Sequence, residues 1–391
     1  MTSMRVLHLA PTAQAVSGIG RYARRLEAEV DATGKVEWLT LPEGRHRLNS
    51  VADVVTHALR ARRAGLGTGV DAVQVECGLG ALREYWAGAA LIRSPTSPPV
   101  VLTIHDPGRP VWMPWLAHGI RGHARLVKAS WRLGSQPALR HERRVLDGAA
   151  RIVVLTRAGR RDVLESFPDI NPDRVVVVDH LPGERLAGAA MLERRPGACH
   201  IGFFGHWYAG KGVESLVAAV AALHQSGIPV RLTLAGEVTP SAGGRLATLY
   251  RESVLDDVAS SGVAEITTIT GSIPDAEVAA FLADLDVLVL PYSVGLSRSG
   301  TSGVLHDAQA AGVPVVATDS RALAEEIEHG VDGLVYSAGD LPALVAVLGR
   351  LALDPDHLRA LRAGAAARAR RLHPEQVAQR FVDLYSEVLA R

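Results

Sequence analysis

The sequence predicts an α/β protein made of two doubly wound domains. Three observations predict it. Short apolar runs of strand character alternate with helix-like runs from end to end. The alternation breaks once, near residues 181–196, in a stretch rich in Gly, Pro and charge. It then resumes as a second series of similar length.

In chain order, the first series has strand-like runs at 6–10, 36–41, 72–76, 100–105, 152–155 and 175–179. Helical runs fall between them. In 20–30, Tyr22, Leu26 and Val30 recur at i, i+4 and i+8, one face of a helix. Strand-helix alternation of this kind implies a parallel sheet covered by helices. The second series has strand-like runs at 200–204, 231–235, 265–270, 286–290, 313–317 and 334–336. The tail is helical from Leu341. The expected organisation is a first domain over 1–183, a linker over 184–199 and a second domain over 200–373. The segment 374–391 is a helix that crosses back to the first domain. Ligands of doubly wound folds bind beyond the carboxyl ends of the strands. Two such domains are expected to face their loops at one another across a cleft.

Composition narrows the function classes. A net charge of +1 gives no global reason to expect nucleic acid. Two cysteines, Cys77 and Cys199, exclude a disulfide framework and suit a reducing compartment. MTSMRVLHLA runs straight into a strand pattern, so no signal peptide is expected. No run of 18 apolar residues suggests a membrane span. The expected location is cytoplasmic. Lysine occurs three times, at Lys35, Lys128 and Lys211, against a background of arginine. A lysine kept at a motif position is then evidence that the ammonium matters.

Three stretches read as anion sites. Ser17, Gly18, Ile19 and Gly20 follow the first strand and open a helix, where a backbone can approach a phosphate. A plain strand-to-helix turn is the alternative. In 201–223 (IGFFGHWYAGKGVESLVAAVAAL), Lys211 precedes a helix with Val213, Leu216, Val217 and Val220 on one face. A lysine there adds a mobile positive charge to the unbonded helix amides, which suits a diphosphate. A solvated surface lysine is the alternative. In 298–319 (RSGTSGVLHDAQAAGVPVVATD), Ser299, Gly300, Thr301 and Ser302 offer N–H and hydroxyl donors ahead of a helix that Gly312 stops. Asp307 follows an apolar-face position and is read as turned toward the cleft. A capped helix with a solvated Asp is the alternative.

Two further stretches carry chemistry. In 103–108 (TIHDPG), His105 ends a strand, which is a functional address in this architecture. A satisfied structural histidine competes with that reading. The stretch 109–144 holds eight basic residues against one acid, Glu142, with Trp112, Trp115 and Trp131 interleaved. It suits an anionic membrane surface, the wall of a cleft for an acidic acceptor, or solvated helix faces. Asp284 and Asp286 form an Asp-x-Asp at a helix-to-strand junction, read as capping and strand opening. No metal site is called for.

Taken together and in order, these motifs resemble the GT-B glycosyltransferases, specifically the retaining, nucleotide-sugar-dependent family 4 type. The resemblance covers nearly the whole length. It rests on the early Gly loop and His105. It rests more strongly on 205–212 (GHWYAGKG) and 269–292 (ITGSIPDAEVAAFLADLDVLVLPY). It is strongest in 304–319 (VLHDAQAAGVPVVATD) and 325–336 (EEIEHGVDGLVY). It implies two Rossmann-like domains and transfer of a hexose-type sugar from a nucleoside diphosphate sugar to an acceptor hydroxyl. The acceptor is a glycan, a lipid-linked molecule or a small natural product. The donor is a substrate, and no cofactor or metal is implied. Carried over by position, Gly18 approaches the donor diphosphate or the acceptor, and His105 sits by the transferring sugar. Lys211, with Gly300, Thr301 and Ser302, holds the donor phosphates. Gly236, Glu237, Ser272 and Ile273 border the base. Asp307 stands where the family has the Glu that grips the ribose hydroxyls.

Two positions depart from the family pattern. His206 stands where an Arg is usual, which makes part of the phosphate charge pH-dependent. Ser299 stands where a Glu usually contacts the donor sugar, so recognition there passes to Arg298, Ser299 or backbone amides. The leaving diphosphate takes the acceptor proton in this family, so no separate base is required. A nucleotide-sugar epimerase on the same fold and a non-catalytic nucleotide-sugar-binding homologue are the competing readings. If the acceptor is membrane-linked, 109–144 provides peripheral contact with an anionic inner membrane face.

Overall fold

The computed structural model describes residues 3–11, 18–41, 51–78, 81–107, 139–183, 197–208, 210–238, 245–293 and 300–390. The chain divides into two compact units. The first comprises Met1–Leu181 and Pro374–Arg391, the second Pro182–His373. The division falls at Leu181, two residues earlier than the alternation pattern suggests. The reason is local: the Gly183 N–H donates to the His306 carbonyl (3.3 Å) in the second unit. The anticipated linker 184–199 is also one residue too long, because Cys199 opens a strand; 184–196 lies outside the described residues.

The first unit has six strands: β1 (Met4–Leu9), β2 (Val36–Thr40), β3 (Ala72–Cys77), β4 (Val100–Ile104), β5 (Arg151–Val154) and β6 (Val175–Val177). They pair in the order β2-β1-β3-β4-β5-β6, and every pairing is parallel. β3, β4 and β5 are buried along their whole length, so both faces are covered. The helix Gly18–Asp31 buries Ile19, Tyr22, Ala23, Leu26 and Val30 on one face. The chain's last helix, Pro374–Leu389, packs in this unit through Ala378, Phe381, Val382 and Tyr385, in one core with Tyr22 and Leu26.

The second unit has β7 (Cys199–Phe204), β8 (Val230–Ala235), β9 (Thr267–Gly271), β10 (Val287–Leu290), β11 (Val315–Thr318) and β12 (Gly333–Tyr336). They pair in parallel in the order β12-β11-β10-β7-β8-β9. The strand expected at 313–317 starts later. Gly312 adopts φ +69°, the Val313 N–H closes the preceding helix on the Ala308 carbonyl (3.0 Å), and Pro314 has no N–H to give. The strand expected at 265–270 also starts late, after a 3₁₀ turn at Ala264–Ile266.

Chain order reverses direction between β1 and β3 in one sheet and between β7 and β10 in the other. Loops that leave these neighbouring strands diverge to opposite faces and open a crevice at the carboxyl edge. Among the described residues, no helix is long and apolar enough to cross a membrane.

Candidate functional site

In the second unit, Lys211 lies in the loop after β7, ahead of the helix Val213–Gln225. Gly212 caps that helix at φ +70°, and a Cβ there would lie 1.8 Å from the Pro291 carbonyl oxygen. The glycine is therefore what lets the lysine loop close onto the end of β10. Lys211 Nζ sits 3.8 Å from the centre of the Tyr292 ring and 5.5 Å from that of Tyr208. Burial works against the ammonium, but the two tyrosines outweigh it and hold the amine above its ordinary value. Lys211 is thus a charged, oriented cation.

Tyr292 does a second job. Its hydroxyl lies 3.0 Å from Ser302 Oγ. Ser302 precedes the helix Gly303–Ala310, and its side chain makes no capping bond. One aromatic ring therefore joins the lysine to the start of a helix whose first amides lack intrahelical partners. The Thr301 hydroxyl donates to Glu326 Oε2 (2.6 Å), and its oxygen lies 2.7 Å from His306 Nε2. The Thr301 and Ser302 hydroxyls, expected to face an anion, are thus held by protein partners. What Thr301 and Ser302 keep for an anion is their backbone. Asp307 is buried in that helix beneath Gly183, whose missing Cβ would lie 2.6 Å from the carboxylate. Arg298, Ser299 and Ser17 lie outside the described residues.

The base-side residues come together at the ends of β8 and β9. Gly236 has φ +115°, and a Cβ on it would lie 1.9 Å from the Gly205 carbonyl oxygen. Its N–H donates to the Gly271 carbonyl (2.6 Å), while the Trp207 N–H donates to the Glu237 carbonyl (3.1 Å). These bonds tie the loop that holds His206 to the one that holds Glu237. His206 and Ile273 are half-buried; Glu237 and Ser272 are exposed. Asp284 and Asp286 serve the fold. Asp286 Oδ2 accepts from the His200 N–H (2.9 Å) and Oδ1 lies 3.5 Å from Arg362, and Asp284 lies 3.4 Å from His200 Nδ1.

In the first unit, His105 stands at the end of β4, and its N–H continues the ladder to the Cys77 carbonyl (2.8 Å). Its Nε2 lies 2.7 Å from Glu76 Oε2. Glu76 is fully buried at the end of β3 and also meets His8 on β1 (3.3 Å). Burial pushes the Glu76 carboxyl up, but the two histidines prevail and pull it down to about 2. Gly18 opens the first helix with nothing within 4 Å of where a Cβ would stand, so packing does not demand a glycine there. Gly78 is different: a Cβ on it would lie 2.4 Å from Ile19 and 3.3 Å from His105. The start of the first helix and the chain just beyond β3 and β4 therefore meet at Gly78. Of the basic stretch 109–144, residues 109–138 lie outside the described residues; Arg140, Arg143 and Arg144 lie on the helix 139–148.

Tyr292, Glu326, His306 and Glu76 escaped the sequence reading. Glu76 had a signal: Gln74 and Glu76 alternate inside an otherwise apolar strand, AVQVEC. Polar residues that share one face of a buried strand need partners.

The fold is that of the GT-B glycosyltransferases. Over 100% of both chains it matches a sucrose-phosphate synthase from Thermosynechococcus elongatus, with a TM-score of 0.76 at 18% identity. The Anabaena protein HepE, solved with UDP and glucose, matches with a TM-score of 0.71 at 15% identity, over 98% of this chain and 100% of that one. Residues 198–354 match the model of the family "Glycosyl transferases group 1". A D-inositol 3-phosphate glycosyltransferase from Thermobispora bispora is 31% identical over 66% of this chain and 60% of that relative. One from Pseudarthrobacter chlorophenolicus is 31% identical over 58% and 54%. The chain thus spans little more than half the length of these relatives.

Proposed function

We propose that the protein is a retaining glycosyltransferase of the family 4 type, moving a hexose-type sugar from a nucleoside diphosphate sugar to an acceptor hydroxyl. The observation that carries the reading is the bridge by Tyr292 between Lys211 Nζ (3.8 Å to the ring) and Ser302 at the head of the helix Gly303–Ala310 (3.0 Å). It gathers a fixed cation and unbonded helix amides at the strand-order reversal of the sheet. That is the chemistry an oxyanion leaving group needs.

When the glycosidic bond to the diphosphate breaks, negative charge grows on the departing oxygens. Lys211 and the amides of 300–302 stabilise it, without a metal or a cofactor. The diphosphate oxygen then takes the acceptor proton. Asp307 takes the ribose, and Gly236, Glu237, Ser272 and Ile273 border the base. By the family pattern, Arg298 and Ser299 are assigned to the donor sugar, His105 to the transferring sugar and Gly18 to the donor diphosphate or the acceptor. HepE, solved with UDP, and relatives named as glycosyltransferases support a nucleotide-sugar donor. Inositol phosphate is one acceptor class to include, because those relatives are named D-inositol 3-phosphate glycosyltransferases.

A thermal-shift screen of UDP, GDP, ADP and dTDP sugars on wild type and Lys211→Ala tests the donor site. Ligand binding to the folded state raises the melting temperature. At least one sugar nucleotide is expected to do so, with a smaller shift in the variant. An equal shift in both proteins would remove Lys211 from the phosphate site. Liposome flotation at low and high salt tests peripheral membrane contact through 109–144.

A further inference from the structure

The first unit contains a chain of ionisable groups, Glu27, His8, Glu76 and His105, with His8 and Glu76 fully buried at its centre. His8 Nδ1 lies 2.7 Å from Glu27 Oε1, and its Nε2 lies 3.3 Å from Glu76 Oε1. Glu76 Oε2 lies 2.7 Å from His105 Nε2. Gln74 Nε2 donates to Glu76 Oε1 (2.9 Å) and to Thr103 Oγ1 (2.8 Å). The Tyr385 hydroxyl in turn holds Gln74 Oε1 (3.1 Å). The Tyr22 ring stands edge-on to His105, with centroids 4.9 Å apart.

The protons on this chain follow from what each partner can do. An ionised carboxylate only accepts. His8 meets a carboxylate at each ring nitrogen, so both nitrogens donate and the ring is a cation. Burial alone would lower it, but the two carboxylates raise it to about 9. His105 then owes Glu76 one hydrogen bond, and Nε2 must carry the hydrogen. In the neutral ring the second nitrogen, Nδ1, then keeps its lone pair.

We propose that Glu76 is a positioning residue that locks His105 in the Nε2–H tautomer and presents Nδ1 as a hydrogen-bond acceptor for a sugar or acceptor hydroxyl. The ligand's identity rests on the glycosyltransferase reading; the tautomer does not. Backed by an anchored anion, the ring serves as an oriented acceptor. Glu76→Gln inverts the arrangement, because the amide can donate to Nε2 and drive the proton to Nδ1.

The test is long-range proton–nitrogen NMR on the intact protein labelled with ¹⁵N-histidine near neutral pH, with His105 assigned by its loss in His105→Asn. The expected signal is a neutral ring protonated at Nε2. A ring protonated at Nδ1, or at both nitrogens, overturns the proposal in wild type, whether or not any variant folds. In Glu76→Gln the tautomer is expected to switch and kcat to fall about tenfold or more, with donor KM unchanged. A switched tautomer with unchanged kcat would show that Nδ1 has no ligand. Thermal shifts with sugar nucleotides on the same samples separate the two ideas. If no donor binds while Nε2–H holds, the glycosyltransferase reading fails and the tautomer assignment survives.

Discussion

In the first unit the polar groups near the carboxyl edge are threaded into the sheet itself, with His8 on β1, Gln74 and Glu76 on β3 and Thr103 on β4, all of them buried. In the second unit the carboxyl ends of the central strands are apolar: Phe203 and Phe204, Leu234 and Ala235, Val289 and Leu290. There the polar groups stand in the loops that follow, as Lys211 and residues 300–302 do. A charge inside a sheet must be paired by the fold, and removing one partner strands the other. A charge in a loop can be removed with little effect on folding. One unit therefore couples its chemistry to its stability, and the other keeps them apart.

The strongest way to break this comparison is Glu76→Ala. It leaves the His8 cation with only Glu27 and takes one acceptor from Gln74. The expected loss is about 3–5 kcal/mol of unfolding free energy by denaturant titration. A loss under about 1 kcal/mol would mean that the network is not integral to the sheet. Lys211→Ala is the counterpart. It is expected to lower kcat/KM by about 10²–10³ while the denaturation midpoint stays nearly unchanged. A collapse in stability instead would erase the distinction.

Thr301→Val sharpens the picture within the second unit. The hydroxyl between Glu326 and His306 is lost while their direct 3.3 Å contact remains, so the expected cost is about 1 kcal/mol. Donor KM is expected to rise more than kcat falls, because the loop is loosened and the cation is untouched. Steady-state kinetics and a melting curve read both effects.

The smallest expected effect is one of pH. Burial raises the Glu142 carboxyl to about 7. Its folded-state value lies above the unfolded one, so its contribution is full below about pH 4.3 and is lost as pH rises through about 7. Glu142→Gln should therefore leave the melting temperature unchanged at low pH and raise it by a few degrees above neutrality. The same sign rule bounds the network. The Glu76 contribution is present above about pH 4.3 and is lost toward about 2. The His8 contribution is present below about pH 6.5 and is lost as pH rises through about 9. A stability profile that rises between pH 7 and 9 would contradict that assignment.

Much of the fold was legible because it is written locally. Val-rich runs bounded by turns mark parallel strands, and Tyr22, Leu26 and Val30 mark a helix face. Lys211 before a helix start and His105 at a strand end could be found by position alone. So could Gly212 and Gly236 as glycine positions, although the carbonyl oxygens they must clear come from distant strand ends. The hydroxyls of Thr301 and Ser302 show the limit. Their donor chemistry was visible, but not that Glu326, 25 residues on, and Tyr292, ten residues back, would claim it.

The sequence by itself determined the alternating architecture, the second unit's family motifs and the residues that stand at strand ends. Those depend on neighbours two, four or eight residues apart. Only the tertiary structure decided which groups meet: Glu76 with His105, His8 with both carboxylates, Tyr292 with Lys211 and Ser302. The physical reason is strand order. Parallel sheets set β1, β3 and β4 side by side only after long crossovers, so partners up to 68 residues apart share one buried face. No local periodicity encodes that pairing.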